Sequence, residues 1–255
     1  MNTKGQITIL GEGYTPHTIA VGEDATSHQS DIFYRIMSEL RVQPKVARYR
    51  NADAQRSRLA VFDLDGTLVM DELMLRMAPH IPDGQWLKKL TIEAINGTDD
   101  WEDNYQQRVQ LYEGISVELL NEEVRKVTIT RGAKELVECL YNQFGVMSAI
   151  VTGAWQGYAD AVAKQLGIQY VFGSEWGISS GHFTGEIVGS ALSPARKVEV
   201  VETLAQDLDC TMLEVTTIGD GYNDIPMLSS SGQSFIYHAN AKGQLPITCL
   251  IDWFE

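Results

Sequence analysis

Positive charge, cysteine and long apolar runs are all scarce in this 255-residue chain. Twenty Lys and Arg face 34 Asp and Glu, a formal net charge of −14. That is the wrong sign for a nucleic-acid binder or for docking on an anionic membrane, so neither partner is expected. No stretch approaches the ~18 consecutive apolar residues of a membrane-spanning helix. Met1–Gly5 leads into no apolar signal segment, which predicts a cytoplasmic protein. The three cysteines, Cys139, Cys210 and Cys249, are odd in number and widely spaced. They argue against a disulfide framework, and neither they nor the five histidines show metal-ligand spacing. Internal repeats and low-complexity tracts are absent. Gly11-Glu12-Gly13 lacks the third glycine and the following helix of a dinucleotide-binding turn.

What is present is the composition of a folded globular chain, 44% hydrophobic and 21% charged. Its length suits one large domain, or one domain with an insert. Charge is uneven: residues 1–58 hold 8 of the 20 basic side chains and 6 of the 34 acidic ones. Between Arg41 and Arg58 only Asp53 offsets six basic groups. That run reads as a solvated connector lying on an acidic body, with a docking patch for an acidic partner as the alternative.

Residues 1–58 form an N-terminal extension in this reading. It holds short strands at Gln6–Leu10 and Thr18–Val21, and a helix capped by Ser30-Asp31. Leu59–Phe62 then forms a continuous apolar strand, and similar runs recur at Met147–Val151, Tyr170–Phe172, Val215–Ile218 and Ser234–Tyr237. Helical patterns such as Ala133–Asn142 and Tyr158–Gln165 lie between them. Alternating strands and helices predict an α/β fold with a doubly wound parallel sheet. One interval breaks the alternation with helix signals alone, at Glu72–Ala78, Gln85–Ile95, Trp101–Tyr112 and Val117–Val127. Residues 73–130 are therefore assigned to an inserted helical domain, leaving 59–72 and 131–255 for the core. A second, shorter insertion, Ser174–Gly189, reads as a hairpin turning at Ser179-Ser180-Gly181.

The strongest chemical signal is Asp63-Leu64-Asp65-Gly66-Thr67, directly after the first core strand. Residues two apart in extended backbone point the same way, so both carboxylates can face one pocket. Gly66 lets the chain turn sharply out of the strand. Paired carboxylates repel unless a proton or cation compensates, and a hard divalent ion such as Mg²⁺ suits an all-oxygen set.

This segment resembles the first signature of the haloacid dehalogenase superfamily of phosphohydrolases, and the rest of the pattern follows in order. Val151-Thr152-Gly153 matches the phosphoryl-holding motif, Lys197 the single lysine of the third, and Gly219-Asp220-Gly221-Tyr222-Asn223-Asp224 the acidic fourth. The resemblance implies a Rossmann-like core with a helical cap. It also implies that Asp63 forms an aspartyl phosphate while Asp65 serves as general acid and base. Thr152, Gly153, Lys197 and Asn223 would bind the phosphoryl group. Asp63, the backbone carbonyl of Asp65, and Asp220 would hold Mg²⁺, with Asp224 supporting that shell. A carboxylate at position 65 favours phosphoester hydrolysis over dehalogenation, because a departing halide needs no acid.

Within the superfamily the helical insertion is similar to that of the phosphoserine phosphatases. On that resemblance Glu72 would meet a substrate ammonium, Arg108 a substrate carboxylate, and Trp101 would close the pocket. Trp101, Tyr105, Arg108 and Tyr112 do share one helical face. Arg108 reads equally as an arginine stacked at the edge of the core, and Glu72 as a first-turn acid favoured by the helix dipole. Thr152 and Ala154-Trp155 depart from that family's usual serine, glycine and smaller aromatic residue. The implied substrate is a small phosphorylated metabolite, O-phosphoserine or a similar amino-acid phosphate. A phosphotransferase and a catalytically silent binding protein are the alternatives, and a homodimer is left open.

Overall fold

An apolar run lacking polar interruption belongs in a sheet covered on both faces. β4 (Leu59–Phe62) meets that description, with all four residues buried. Ala60 and Phe62 join one apolar cluster, while Leu59 and Val61 join another on the opposite face. The computed structural model describes residues 3–11, 17–22, 45–97 and 100–238, with Ile247, Leu250, Ile251 and Phe254.

Three strands precede β4: β1 (Thr3–Gly11), β2 (His17–Gly22) and β3 (Lys45–Asn51). After it come α1 (Leu73–Met77), α2 (Gly84–Ile95), α3 (Trp101–Gln110) and α4 (Val117–Val124). The core resumes with α5 (Ala133–Phe144), β5 (Met147–Trp155), α6 (Gln156–Leu166) and β6 (Tyr170–Ser174). The hairpin of β7 (Trp176–Ser179) and β8 (His182–Ile187) leads to α7 (Pro194–Asp207). β9 (Val215–Gly219), α8 (Ile225–Ser230) and β10 (Gln233–His238) follow.

The main sheet runs β2-β1-β3-β10-β9-β4-β5-β6. The ladders from β10 through β9, β4 and β5 to β6 are parallel, forming the predicted doubly wound core. The three ladders joining β1, β2, β3 and β10 are antiparallel, so the whole sheet is mixed. From β4 the chain moves outward through β5 and β6, then returns to β9 on the other side. The carboxyl ends of β4, β5 and β9 therefore converge where the winding reverses, the place where open α/β sheets bind ligands.

The N-terminal strands are continuous with the core sheet rather than a separate extension. The basic run from 41 to 58 is, where described, part strand and part connector: Lys45–Asn51 is β3, whereas most of residues 52–58 are exposed. Val46, Ala47 and Tyr49 of β3 are buried, and Arg48 donates through Nε to Gln233 Oε1 of β10 at 2.8 Å. Arg56 donates to the carbonyl of Phe144 at 3.3 Å, and Arg58 to those of Asp209 and Leu208 at 2.6 and 3.1 Å. These carbonyls end α5 and α7, where an α-helix leaves acceptors unsatisfied and carries partial negative charge. Arg48, Arg56 and Arg58 are thus bonded to the protein itself, the last two from an exposed segment. The helix expected from Ser30-Asp31 lies outside the described residues.

Local capping follows the sequence. The Asp100 carboxylate accepts from the Asp103 amide at 3.2 Å, the Ser116 hydroxyl from Leu119 at 3.1 Å, and the Ser193 hydroxyl from Arg196 at 3.4 Å. The β7–β8 turn places Ser180 and Gly181 at φ 50° and 78°, the left-handed pair that a tight hairpin needs. That hairpin is stitched to the helical insertion. Gly114 donates to the Phe183 carbonyl at 2.9 Å, Phe183 to Ile115 at 2.9 Å, and Val117 to Gly181 at 3.0 Å.

Placing β3 in the sheet makes a prediction. Val46→Asp puts a carboxylate among the apolar neighbours of β3 and should cost at least about 3 kcal/mol in urea unfolding. A change within about 0.5 kcal/mol, as expected at a solvated position, would remove β3 from the core.

Candidate active site

Asp63 leaves β4 at the point where the three strand ends meet, its amide donating to the Ile218 carbonyl of β9 at 2.8 Å. Gly66, three residues on, turns the chain with φ +75°. A Cβ there would stand 2.1 Å from Asp220 Oδ2, so the glycine also admits the β9 loop. Asp220 follows β9 directly, and a 3₁₀ turn at Tyr222–Asp224 then swings Asp224 back beneath it. One ligand oxygen from each of Asp63, Asp220 and Asp224 lies within 4.8 Å of the others.

Lys197 comes from the first turns of α7, which begins at Ser193-Pro194 with proline pre-set for a helical start. Its ammonium is fully buried and donates to Asp63 Oδ1 at 2.6 Å and to Asp224 Oδ1 at 2.7 Å. The other Asp224 oxygen accepts from the Gly221 amide at 3.0 Å, which orients that carboxylate within the cluster. Asp220 has no ion-pair partner among the described residues. The Asn223 amide oxygen folds over Gly221.

Asp65 stands apart from the three. The Tyr158 hydroxyl donates to its Oδ1 at 2.9 Å, and the Leu73 amide donates to the same oxygen at 3.3 Å. Burial, with the nearby Glu72 and Asp63 charges, raises its pKa well above the usual carboxylate range. Burial and Asp224 likewise raise Asp63 to about 7 against the pull of Lys197. Burial raises Asp220 well above the ordinary value, helped by Asp224 and Asp63. Although burial opposes it, the Asp224 and Asp63 charges hold the Lys197 ammonium above its normal pKa. Negative charge thus exceeds positive in this buried space, and the surplus pushes Asp63, Asp65 and Asp220 toward protonation. A hard divalent cation would relieve the same surplus, and the donors are oxygens suited to Mg²⁺.

The phosphoryl-holding motif lies on the adjacent strand end. Thr152 is buried, and its hydroxyl oxygen accepts from the Ala154 amide at 3.1 Å. The Gly153 carbonyl accepts from the Tyr105 hydroxyl of α3, and Trp176 Nε1 donates to that hydroxyl at 2.9 Å. Trp101 stacks on Tyr105 with ring centroids 4.8 Å apart and lies over Gly153.

Further along the same face of α3, Arg108 is 7% exposed. Its Nε donates to Asn104 Oδ1 at 2.9 Å, its Nη1 approaches Met74 Sδ at 3.2 Å, and its guanidinium lies 5.2 Å from the Tyr105 ring centroid. Nη2 has no partner among the described residues. Burial, opposed by Arg108, raises the Glu72 pKa, and burial, opposed by Glu72, lowers that of Arg108. Yet no ion pair joins Glu72 and Arg108 among the described residues. The two thus influence each other's charge without being bonded.

A family model described as haloacid dehalogenase-like hydrolase matches residues 60–229. The chain belongs to that family. The superfamily's helical cap corresponds to α1–α4, and its sheet core to the parallel strands. Among similar proteins, the phosphoserine phosphatase of Archaeoglobus fulgidus is 34% identical over 72% of this chain. A probable phosphoserine phosphatase of Schizosaccharomyces pombe is 31% identical over 74%. The chain spans 54% and 64% of those two relatives' lengths. It spans 89% of the Lactococcus lactis phosphoserine phosphatase, at 28% identity over 76% of this chain. A solved structure titled as a phospho-aspartyl intermediate analogue of phosphoserine phosphatase superposes with TM-score 0.65 at 29% identity. That likeness covers 70% of this chain and 85% of the other.

Of the residues singled out from the sequence, the structure brings Asp63, Lys197, Asp220 and Asp224 together, sets Asp65 beside Tyr158, and carries Trp101 and Arg108 on one face of α3. Two contributors were not anticipated. Tyr158 sits on an apolar stripe with Val162 and Leu166 and reads as core, and Tyr105 reads as one aromatic among several. Only the packed structure shows where their hydroxyls go.

The lysine-centred cluster generates a test. Lys197→Met should cost about 3–5 kcal/mol near neutral pH, because two buried carboxylates lose their counter-charge. Carboxyls whose folded-state pKa is raised regain protons, and so stability, as pH falls below about 7. The deficit read from urea midpoints should accordingly shrink from about pH 8 to about pH 5.

Proposed function

We propose that this protein is a Mg²⁺-dependent phosphomonoesterase that works through an aspartyl phosphate at Asp63. O-phosphoserine or a closely similar amino-acid phosphate is its substrate. The observation that carries the reading is the pairing of two differently held carboxylates at the end of β4. Asp63 is bonded to Lys197 beside Asp220 and Asp224, whereas Asp65 is bonded to Tyr158 and the Leu73 amide. Groups of the same type in such different surroundings can divide the work of nucleophile and acid.

Asp63 attacks phosphorus as the ester P–O bond breaks, and Asp65 gives its proton to the departing oxygen. Asp65 then takes a proton from water as that water attacks the aspartyl phosphate. The P–O bond to Asp63 breaks and inorganic phosphate leaves. Lys197 and the Thr152 and Gly153 turn neutralise and position the phosphoryl oxygens. Mg²⁺ held by Asp63, the Asp65 carbonyl and Asp220 would supply further positive charge to those oxygens. Asp224 supports that shell, Asn223 contacts the phosphoryl group, and Trp101 shields the reacting group from water.

The opposite charges of Glu72 and Arg108, unbonded to each other, support the choice of substrate. A zwitterionic amino-acid end suits them, its ammonium toward Glu72 and its carboxylate toward the free Nη2 of Arg108. The similarity to phosphoserine phosphatases points the same way.

Phosphate release across a panel of small phosphoesters should be fastest with phosphorylated amino acids. Asp63→Asn should abolish it, and chelation should silence the enzyme until Mg²⁺ is restored. Full activity in chelator would contradict the metal assignment. Arg108→Ala should raise KM for O-phosphoserine by about tenfold or more and lower kcat less. Unchanged kinetics would take Arg108 out of the substrate site.

A further inference from the structure

We infer that Tyr158 is the positioning residue of the proton-transfer step. It selects which oxygen of Asp65 carries the proton to the leaving group. The inference rests on the phosphomonoesterase reading above and deepens it.

Tyr158 is the third residue of α6, and its ring is fully buried in the core cluster with Ala159, Val162 and Leu166. A tyrosine placed there only to fill volume needs no hydroxyl, and a buried hydroxyl left unpaired is costly. This one has a partner, Asp65 Oδ1 at 2.9 Å. The Leu73 amide donates to the same atom at 3.3 Å, and no bond reaches Oδ2 from the described residues. An oxygen that already accepts two hydrogen bonds is the poorer site for a proton, so the acidic hydrogen resides on Oδ2. Both donors also fix the side-chain rotamer, because turning the carboxyl over would break two bonds at once.

The location explains why α6 can supply this group. β5 carries Thr152 and Gly153 at its end and passes directly into α6. One strand-to-helix turn therefore sets both the phosphoryl contacts and the hydroxyl that orients Asp65. Tyr158 keeps its own proton throughout. The proton on Asp65 Oδ2 passes to the ester oxygen as the P–O bond breaks, and Asp65 later regains one from the attacking water. Tyr158 acts through Asp65, the group its hydroxyl holds, which makes it a positioning residue rather than a catalytic one.

Leaving-group chemistry separates this role from a packing role. An alkoxide such as that of serine must be protonated as it departs, whereas p-nitrophenolate leaves readily without a proton. The specificity constant kcat/KM reports steps up to aspartyl-phosphate formation, so it isolates the first proton transfer. Tyr158→Phe keeps the ring and deletes the hydroxyl. With Mg²⁺-loaded enzyme, its kcat/KM for O-phosphoserine should fall about tenfold further than that for p-nitrophenyl phosphate. That is part of the ~10²–10⁴-fold that a positioned proton donor contributes. Tyr158→Leu, a second variant, should show the same split between the two esters even if its melting temperature drops. Equal losses on both esters, or no loss on O-phosphoserine, would overturn the assignment while leaving the phosphatase reading intact. If the wild-type enzyme hydrolyses neither ester, both fall together.

Discussion

A single buried ammonium governs how the rest of this molecule can be arranged. Lys197 touches Asp63 from the end of β4 and Asp224 from the turn after β9, so it joins two separate strand ends. Without an opposite charge, carboxylates this close and this buried could not all ionise. The ammonium in turn depends on α7 starting where it does. Ser193 and Pro194 fix the helix entry, and the backbone bond from Lys197 to the Ser193 carbonyl, 2.9 Å, sets the side chain one turn in. Charge is still left over after this compensation. The surplus gives the pocket its character, with carboxyls ready to hold a proton or to accept a cation.

Much of this arrangement could be read in the residues before any coordinates. The uninterrupted apolar run Leu59–Phe62, with Asp63 and Asp65 directly behind it, marks both a central strand and the site at its end. The helical stretches expected near Trp101 and Val117 are present, started by side-chain caps from Asp100 and Ser116. Such signals are legible because they are local. What could not be read depends on partners distant in sequence. β3 was hidden because Arg48 and Arg50 suggest solvent, and the bond that draws Arg48 inward comes from Gln233, 185 residues away. Tyr158 was hidden for the same reason: periodicity reports that its ring is buried but not that its hydroxyl meets a carboxylate 93 residues earlier.

The arginines ahead of β4 show how charge counting can mislead. Six basic residues in a short stretch imply repulsion and solvation, and Arg56 and Arg58 are exposed, yet they also donate to carbonyls at the end of α5 and just past α7. Helix ends offer partial negative charge without any acidic residue, so no count of Asp and Glu reveals these partners. The same bonds tie the segment entering β4 to helices on either side of it. They help seat the strand from which Asp63 projects.

Asp65 is steadied from two directions. The tyrosine hydroxyl belongs to α6, in the sheet-bearing lobe, while the Leu73 amide opens α1, the first helix of the other lobe. A swing of α1 away from the sheet would strip off the second tether and spare the first. The hairpin, bonded to the α3–α4 connection through Gly114, Phe183 and Val117, is tied into the same helical insertion that carries the second tether.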